Sequence, residues 1–173
     1  MNFLQKNYQR LKIDFFRLVS CFFGNSHIGV FLRFHFLKLL GVSFEGRCRI
    51  FSGIYFLEIN NNLFFGKNVF VNVNSHFDLT DRVSIGNNAL IGPNVTFLTS
   101  THEASKTYEI RKKVKSMGPI LLEDNVFIGA NSTILGGITI GENSIIGACS
   151  LVNKSIPPNN IAFGNPVKLY KPL

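Results

Sequence analysis

Residues 122–152, LEDNVFIGANSTILGGITIGENSIIGACSLV, keep a strict interval. Leu122, Ile128, Ile134, Ile140, Ile146 and Val152 follow one another at six-residue steps, and glycine comes directly after the aliphatic residue at 129, 141 and 147. Six is not a helical period, and an isolated hairpin strand has no need of it. It suits a chain wound into a coil with three short flat sides, one side chain per side pointing inward. Branched aliphatic residues at the inward points stack from coil to coil. Glycine and asparagine at the corners tolerate the backbone angles that a tight turn imposes.

Working outward, the same interval runs upstream through Ile59, Phe65, Val71 and Phe77, slips by two, and resumes at Ile85, Ile91 and Phe97. It then lapses over residues 99–118, a charged, irregular run that opens with Thr101 and His102. Such a run reads as a loop leaving the coil at a corner without disturbing the stack. Before residue 50 the periodicity is helical. Leu4, Tyr8, Leu11, Phe15, Leu18 and Phe22 form one stripe, Gly24-Asn25-Ser26 breaks it, and a shorter pattern through Val30, Phe31, Phe34 and Leu37 stops near Gly41. The expected organisation is a helical segment over 1–49 and a coil over 50–173, with the excursion at 99–118 and a tail from 153.

At 46% hydrophobic and 16% charged over 173 residues, the chain has the composition of a folded domain rather than a disordered one. The net charge of +8 is lopsided: residues 1–49 hold eight Lys/Arg against Asp14 and Glu45, and 15 of 18 phenylalanines lie at or before Phe77. A basic, aromatic start suits either an anionic membrane surface or packing against the coil or another subunit. Cys21, Cys48 and Cys149 are too few and too scattered for a disulfide framework or a zinc site, and read as free thiols of a cytoplasmic protein. No apolar run reaches the eighteen or so residues of a spanning helix. Leu18-Val19-Ser20-Cys21 imitates a lipoprotein cleavage site, but Lys12, Asp14 and Arg17 leave no room for the apolar core of a signal.

The segments 128–134 and 140–146 resemble the hexapeptide-repeat acyltransferases, and the ending Ser150-Leu-Val-Asn-Lys-Ser-Ile-Pro157 through Gly164-Asn-Pro166 is similar to that of the galactoside and maltose O-acetyltransferase group. Asn153 and Ser155 depart from the residues usual there. The resemblance, over about residues 50–173, implies an all-β fold, a left-handed parallel β-helix. It also implies acetyl-CoA as cosubstrate, no metal, and a homotrimer with active sites between subunits. The N-terminal 50 residues look more like those of polysaccharide (capsule, exopolysaccharide or O-antigen) acetyltransferases, whose acceptors are often lipid-linked. That suggests a peripheral membrane contact through residues 1–40.

By the same resemblance, His102 is the general base. A sugar hydroxyl is a poor nucleophile, and a neutral imidazole can take its proton as the new bond forms. Phe70-Val71-Asn72-Val73-Asn74 is similar to the segment whose first asparagine contacts the acceptor; the alternative reading of Asn72 and Asn74 is a corner ladder. Asp78 and Asp81 are candidates for binding sugar hydroxyls or orienting His102, although the family's acidic position aligns with Thr80. On the cofactor side the resemblance points to Gly129 and Ala130, whose amide would face the thioester oxygen. Ala148 would border the pantetheine arm, and Asn153, Lys154, Lys168 and Lys171 would border the nucleotide end. His76 could line the acceptor site, while His27 and His35 fall in the helical region. Arg111, Lys112, Lys113 and Lys115 either attract an anion or solubilise the loop.

The implied activity is O-acetylation of a sugar. N-acetylation of an amino nucleotide-sugar and a non-catalytic β-helix scaffold are the alternatives. A γ-type carbonic anhydrase needs a second histidine five residues after the first, and position 107 is Thr. No nucleic-acid motif accompanies the positive charge.

Overall fold

The structure, a computed structural model, describes residues 11–16, 18, 20, 22–57 and 61–173. Leu4, Tyr8, Arg17, Val19, Cys21 and Ile59 of the patterns above lie outside the described residues.

Three parallel sheets wrap one axis. The first face stacks Ser43–Phe44, Leu63–Phe65, Val83–Ile85, Ile120–Leu122 and Thr139–Ile140. The second stacks Arg49–Ile50, Phe70–Val71, Leu90–Ile91, Phe127–Ile128, Ile145–Ile146 and Asn160–Phe163, with Lys168–Pro172 added antiparallel at its end. The third stacks Tyr55–Phe56, His76–Phe77, Thr96–Leu98, Thr133–Leu135 and Leu151–Val152. Leu122, Ile128 and Ile134 therefore occupy the three faces in turn, and Ile140, Ile146 and Val152 lie directly over them. The stack opens at Ser43–Phe44, ahead of residue 50, and continues past residue 153 where Ile156 bridges to Ile140 and Ile161 pairs with Ile145.

The inward ladder changes character along the axis. On the third face Phe56, Phe77 and Phe97 stack with ring centroids 5.7 and 4.8 Å apart, and Ile134 and Val152 complete the column. All five are essentially buried. Burying each such side chain stabilises the fold by about 1.5–3 kcal/mol. The phenylalanine skew of the sequence is thus partly a core made of rings at one end and branched aliphatics at the other.

Corners follow from asparagine. Asn68, Asn88, Asn125, Asn143 and Asn159 adopt left-handed backbone angles near φ +58 and pass a hydrogen bond from each side-chain amide to the next, over the edge between the first and second faces. Asn74, Asn94, Asn131 and Cys149 take the same angles between the second and third faces. A short polar side chain makes this region tolerable for a residue other than glycine.

The helix His27–Leu39 caps the open end of the coil, its first turn satisfied by the Ser26 hydroxyl, which accepts from Gly29 N–H at 3.1 Å. Gly29 is required by contact: a Cβ there would lie 2.4 Å from the Gly24 carbonyl. Arg33 is buried and donates to the carbonyls of Ile50 and Ser20 and to Asn25 Oδ1, tying helix to coil. In the helical residues before it, Ile13 and Phe16 face inward, whereas Leu11, Phe15, Leu18 and Phe22 of the sequence stripe are 54–82% exposed. These four residues therefore look away from the chain's own core. Among the described residues no helix is long and apolar enough to cross a membrane.

Candidate active site

The excursion leaves the coil at the edge between the third and first faces. Ser100–His102 pairs antiparallel with Val114–Ser116, with His102 opposite Val114, and a single helical turn, Tyr108–Arg111, lies between. Met117 N–H donates to the Thr99 carbonyl at 2.7 Å and closes the base. His102 is exposed. So are Tyr108, Ile110 and Val114, which leaves the hairpin little apolar contact to hold it.

Polar contacts hold it instead. Asp78 is buried, and its carboxylate accepts four bonds: Oδ2 from Ser100 N–H (2.7 Å) and hydroxyl (2.5 Å), Oδ1 from Thr80 N–H (3.0 Å) and hydroxyl (2.8 Å). A carboxylate has about four acceptor positions, and here all are filled. Burial pushes its pKa up, but the bonds from Ser100 and Thr80 outweigh it and hold the carboxyl below the usual range. Asp81 Oδ2 accepts from the Ser116 hydroxyl at 2.7 Å and Oδ1 from Arg82 N–H, which likewise keep its carboxyl low. Of the two readings of Asp78 and Asp81, binding sugar hydroxyls or orienting His102, this geometry engages both carboxylates with the hairpin, and the acceptor positions of Asp78 are all taken within the chain.

Most of the other candidates fall on two edges of the prism. Asn153 and Lys154 are exposed on the edge that carries the hairpin, one step before Ser155, whose hydroxyl accepts from Thr139 N–H. Asn72, Gly129, Ala130 and Ala148 line the edge between the second and third faces. There Asn72 and Gly129 hold equivalent places, donating their N–H groups to Ile91 and Ile146 of the coil above. Asn72 Oδ1 accepts from Val73 N–H at 2.8 Å, and its amide nitrogen has no partner among the described residues. The Ala130 and Ala148 N–H groups likewise have no partner among the described residues. Gly129 admits no side chain, because a Cβ would lie 2.5 Å from Ala148 N. Asn74 sits at a left-handed corner directly over Gly53, in keeping with the corner reading. Lys168 and Lys171 are exposed on the final antiparallel strand.

Between the two edges lies the third face, whose outward row includes His76 tilted against Tyr55 with ring centroids 5.3 Å apart. A side of five or six residues at about 3.3 Å each separates the edges. One chain therefore does not gather all the candidates in one place. A groove of about 500 Å³ lies elsewhere, along Phe64, Ser84, Leu121 and Glu142 on the first face, and contains none of them.

Sequence reasoning missed Thr99, Ser100 and Ser116. Their partners lie 18 to 35 residues away, so the only local signal was a hydroxyl residue at each mouth of the interruption.

The family profile described as "Bacterial transferase hexapeptide (six repeats)" matches residues 119–154. A solved galactoside acetyltransferase in complex with coenzyme A superposes with a TM-score of 0.79 at 32% identity, covering 95% of this chain and 82% of that one. The chain belongs to the hexapeptide-repeat acyltransferase family. Its three-faced coil is the family's left-handed parallel β-helix. A hexapeptide-repeat acetyltransferase of Vibrio cholerae O1 biovar eltor, complexed with acetyl coenzyme A, gives a TM-score of 0.82 at 27% identity, over 96% of this chain and 88% of that one. Galactoside O-acetyltransferase of Escherichia coli K12 is 40% identical over 119 residues, 68% of this chain and 57% of that protein. The matched segments span about half the length of the curated relatives.

Proposed function

We propose that the protein is an acetyl-CoA-dependent O-acetyltransferase that modifies a sugar hydroxyl during assembly of a bacterial surface polysaccharide, with His102 as general base. The observation that carries this is the exposed imidazole on a hairpin interrupting an otherwise unbroken family coil, on the same edge as Asn153 and Lys154.

The chain's residues fit the cosubstrate. Gly129, Ala130 and Ala148 set small side chains along one stretch of this edge, with two N–H groups unpaired among the described residues, which suits a thin arm lying along backbone. Lys154, Lys168 and Lys171 are exposed and provide positive charge for a polyphosphate end. When bound, acetyl-CoA supplies an activated acyl thioester. His102 takes the proton of the attacking hydroxyl, an assistance of about 10²–10⁴ in rate. The Asn72 amide nitrogen donates to a sugar oxygen, and the Ala130 N–H is available where negative charge develops on an acyl oxygen.

His102 and the pair Asn72 and Ala130 stand on different edges, and this supports a homotrimer in which one subunit's hairpin edge faces the next subunit's small-residue edge. The outward stripe Leu11, Phe15, Leu18 and Phe22, in the most basic part of the chain, supports a peripheral contact with the cytoplasmic membrane face. The decisive experiment incubates purified protein with acetyl-CoA and a panel of sugars and nucleotide sugars, reading thiol release. Turnover on hydroxyl acceptors that His102→Ala lowers by about 10²–10⁴, with the fold intact, is the expected result. Turnover on amino sugars alone, or none at all, overturns it.

A further inference from the structure

We infer that Asp78 and Asp81 form a two-point clamp that fixes the register and the facing of the hairpin, and so act, with Ser100 and Ser116, as positioning residues for His102. The catalytic part of this inference rests on His102 being the base.

Each carboxylate holds one strand. Asp78 takes Ser100 at the start of the outgoing strand, and Asp81 takes Ser116 at the end of the returning one. Ser100 and Ser116 are direct cross-strand partners, so the two grips meet at a single rung. The Thr99 hydroxyl couples them, donating to the Asp78 carbonyl at 2.8 Å and accepting from Asp81 N–H at 3.0 Å. Ser116 Oγ also accepts from Gly118 N–H, where the chain re-enters the coil.

Alternation carries the effect to His102. Side chains two apart on a strand share a face, so Ser100 and His102 point the same way, with Ser116 and Val114 opposite them; Thr101 and Lys115 take the other face. Turning the Ser100–Ser116 rung toward the two aspartates therefore turns His102 to the same side. A slip of one residue would present Thr101 in its place. With Val114 and Tyr108 59% and 71% exposed, apolar burial does not supply this constraint, and charge-assisted bonds do.

The test uses the full-length chain carrying Asp78→Asn, Asp81→Asn, Ser100→Ala or Ser116→Ala. Three quantities are read: hydrogen exchange at residues 100–102 and 114–116, the imidazole NMR signals of all four histidines, and kcat with the KM for acetyl-CoA. Protection of the hairpin amides should fall at least tenfold. His102 signals should shift or broaden while those of His27, His35 and His76 stay, and kcat should drop about ten- to a hundred-fold at unchanged KM. Ser100→Thr, which keeps the hydroxyl, should restore all three. Folded Asp78→Asn and Asp81→Asn proteins with unaltered hairpin exchange and unaltered His102 signals would sink the clamp. If Asp78→Asn does not fold, the more exposed pair Asp81 and Ser116 decides by the same readouts. A wild-type protein without turnover would refute the enzyme reading alone, because exchange and NMR judge the clamp independently.

Discussion

At the scale of single residues, chemistry and context part company. His102 stands out by the broken rhythm around it, and the structure leaves its ring on the surface. Asp78 looked equally available in the sequence and is instead saturated by four donors. Arg33 is the reverse case: nothing local marks it, yet it is the largest fully buried side chain among the described residues, where its partners are the neutral oxygens of Ile50, Ser20 and Asn25. Burial lowers its pKa, and three hydrogen bonds offset the desolvation. Arg33→Ala strands the buried Ile50 and Ser20 carbonyls, at about 1–3 kcal/mol each, and opens a cavity. A loss of about 3–5 kcal/mol is expected, read in calorimetry as a fall of roughly 10 °C in Tm; an unchanged Tm would mean that the N-terminal helices contribute no stability to the coil.

Among elements, the coil and the hairpin are held by different forces. Each rung of the coil adds buried rings or aliphatics to a continuous ladder, whereas the hairpin depends on two ionised carboxylates. Asp78 has a folded pKa below its unfolded value near 3.9. Its stabilisation is therefore complete above about pH 4 and is lost as pH falls through the folded value. Asp81 has the same sign. Hydrogen exchange between pH 6 and pH 3, corrected for intrinsic rates, should show hairpin amides losing protection below about pH 4 before the coil amides do. Simultaneous loss in both would mean that the hairpin is not a separate unit. The element boundaries were legible where an apolar beat marks them, as at Ser26 and Gly41 around the helix His27–Leu39. The start at Ser43–Phe44 was not, because the spacing from Phe56 to Phe65 is nine rather than six, and counting from Ile59 hides the first coil.

For the whole molecule, His102 and Asn72 lie on different edges of the prism. If one subunit supplies His102 and its neighbour Asn72, trimers reassembled from equal amounts of inactive His102→Ala and Asn72→Ala chains should regain about one intact site in four. Absence of recovery would place the site within one chain. The exposed stripe Leu11, Phe15, Leu18 and Phe22 predicts a second property. The intact protein should co-sediment with anionic vesicles, less so at high salt, and changing Leu11, Phe15, Leu18 and Phe22 together to Ser should abolish this while the buried Ile13, Phe16 and Arg33 keep the helices on the coil. Equal sedimentation of the substituted protein would assign the stripe to another subunit instead.

The sequence alone pointed to the coil, since a six-residue interval of inward side chains fits three short flat sides per turn, and it marked His102 by interrupting that interval. It also determined the residue types on each edge, because small and left-handed-tolerant residues must fall where the chain turns. Only the tertiary structure decided where each candidate lies, that Asp78 and Asp81 grip Ser100 and Ser116, and that Leu11, Phe15, Leu18 and Phe22 face outward. The reason is distance along the chain. Periodicity is a local property that any short window reveals, whereas a carboxylate meeting a hydroxyl 22 or 35 residues away depends on how many residues the intervening coil takes to come round again.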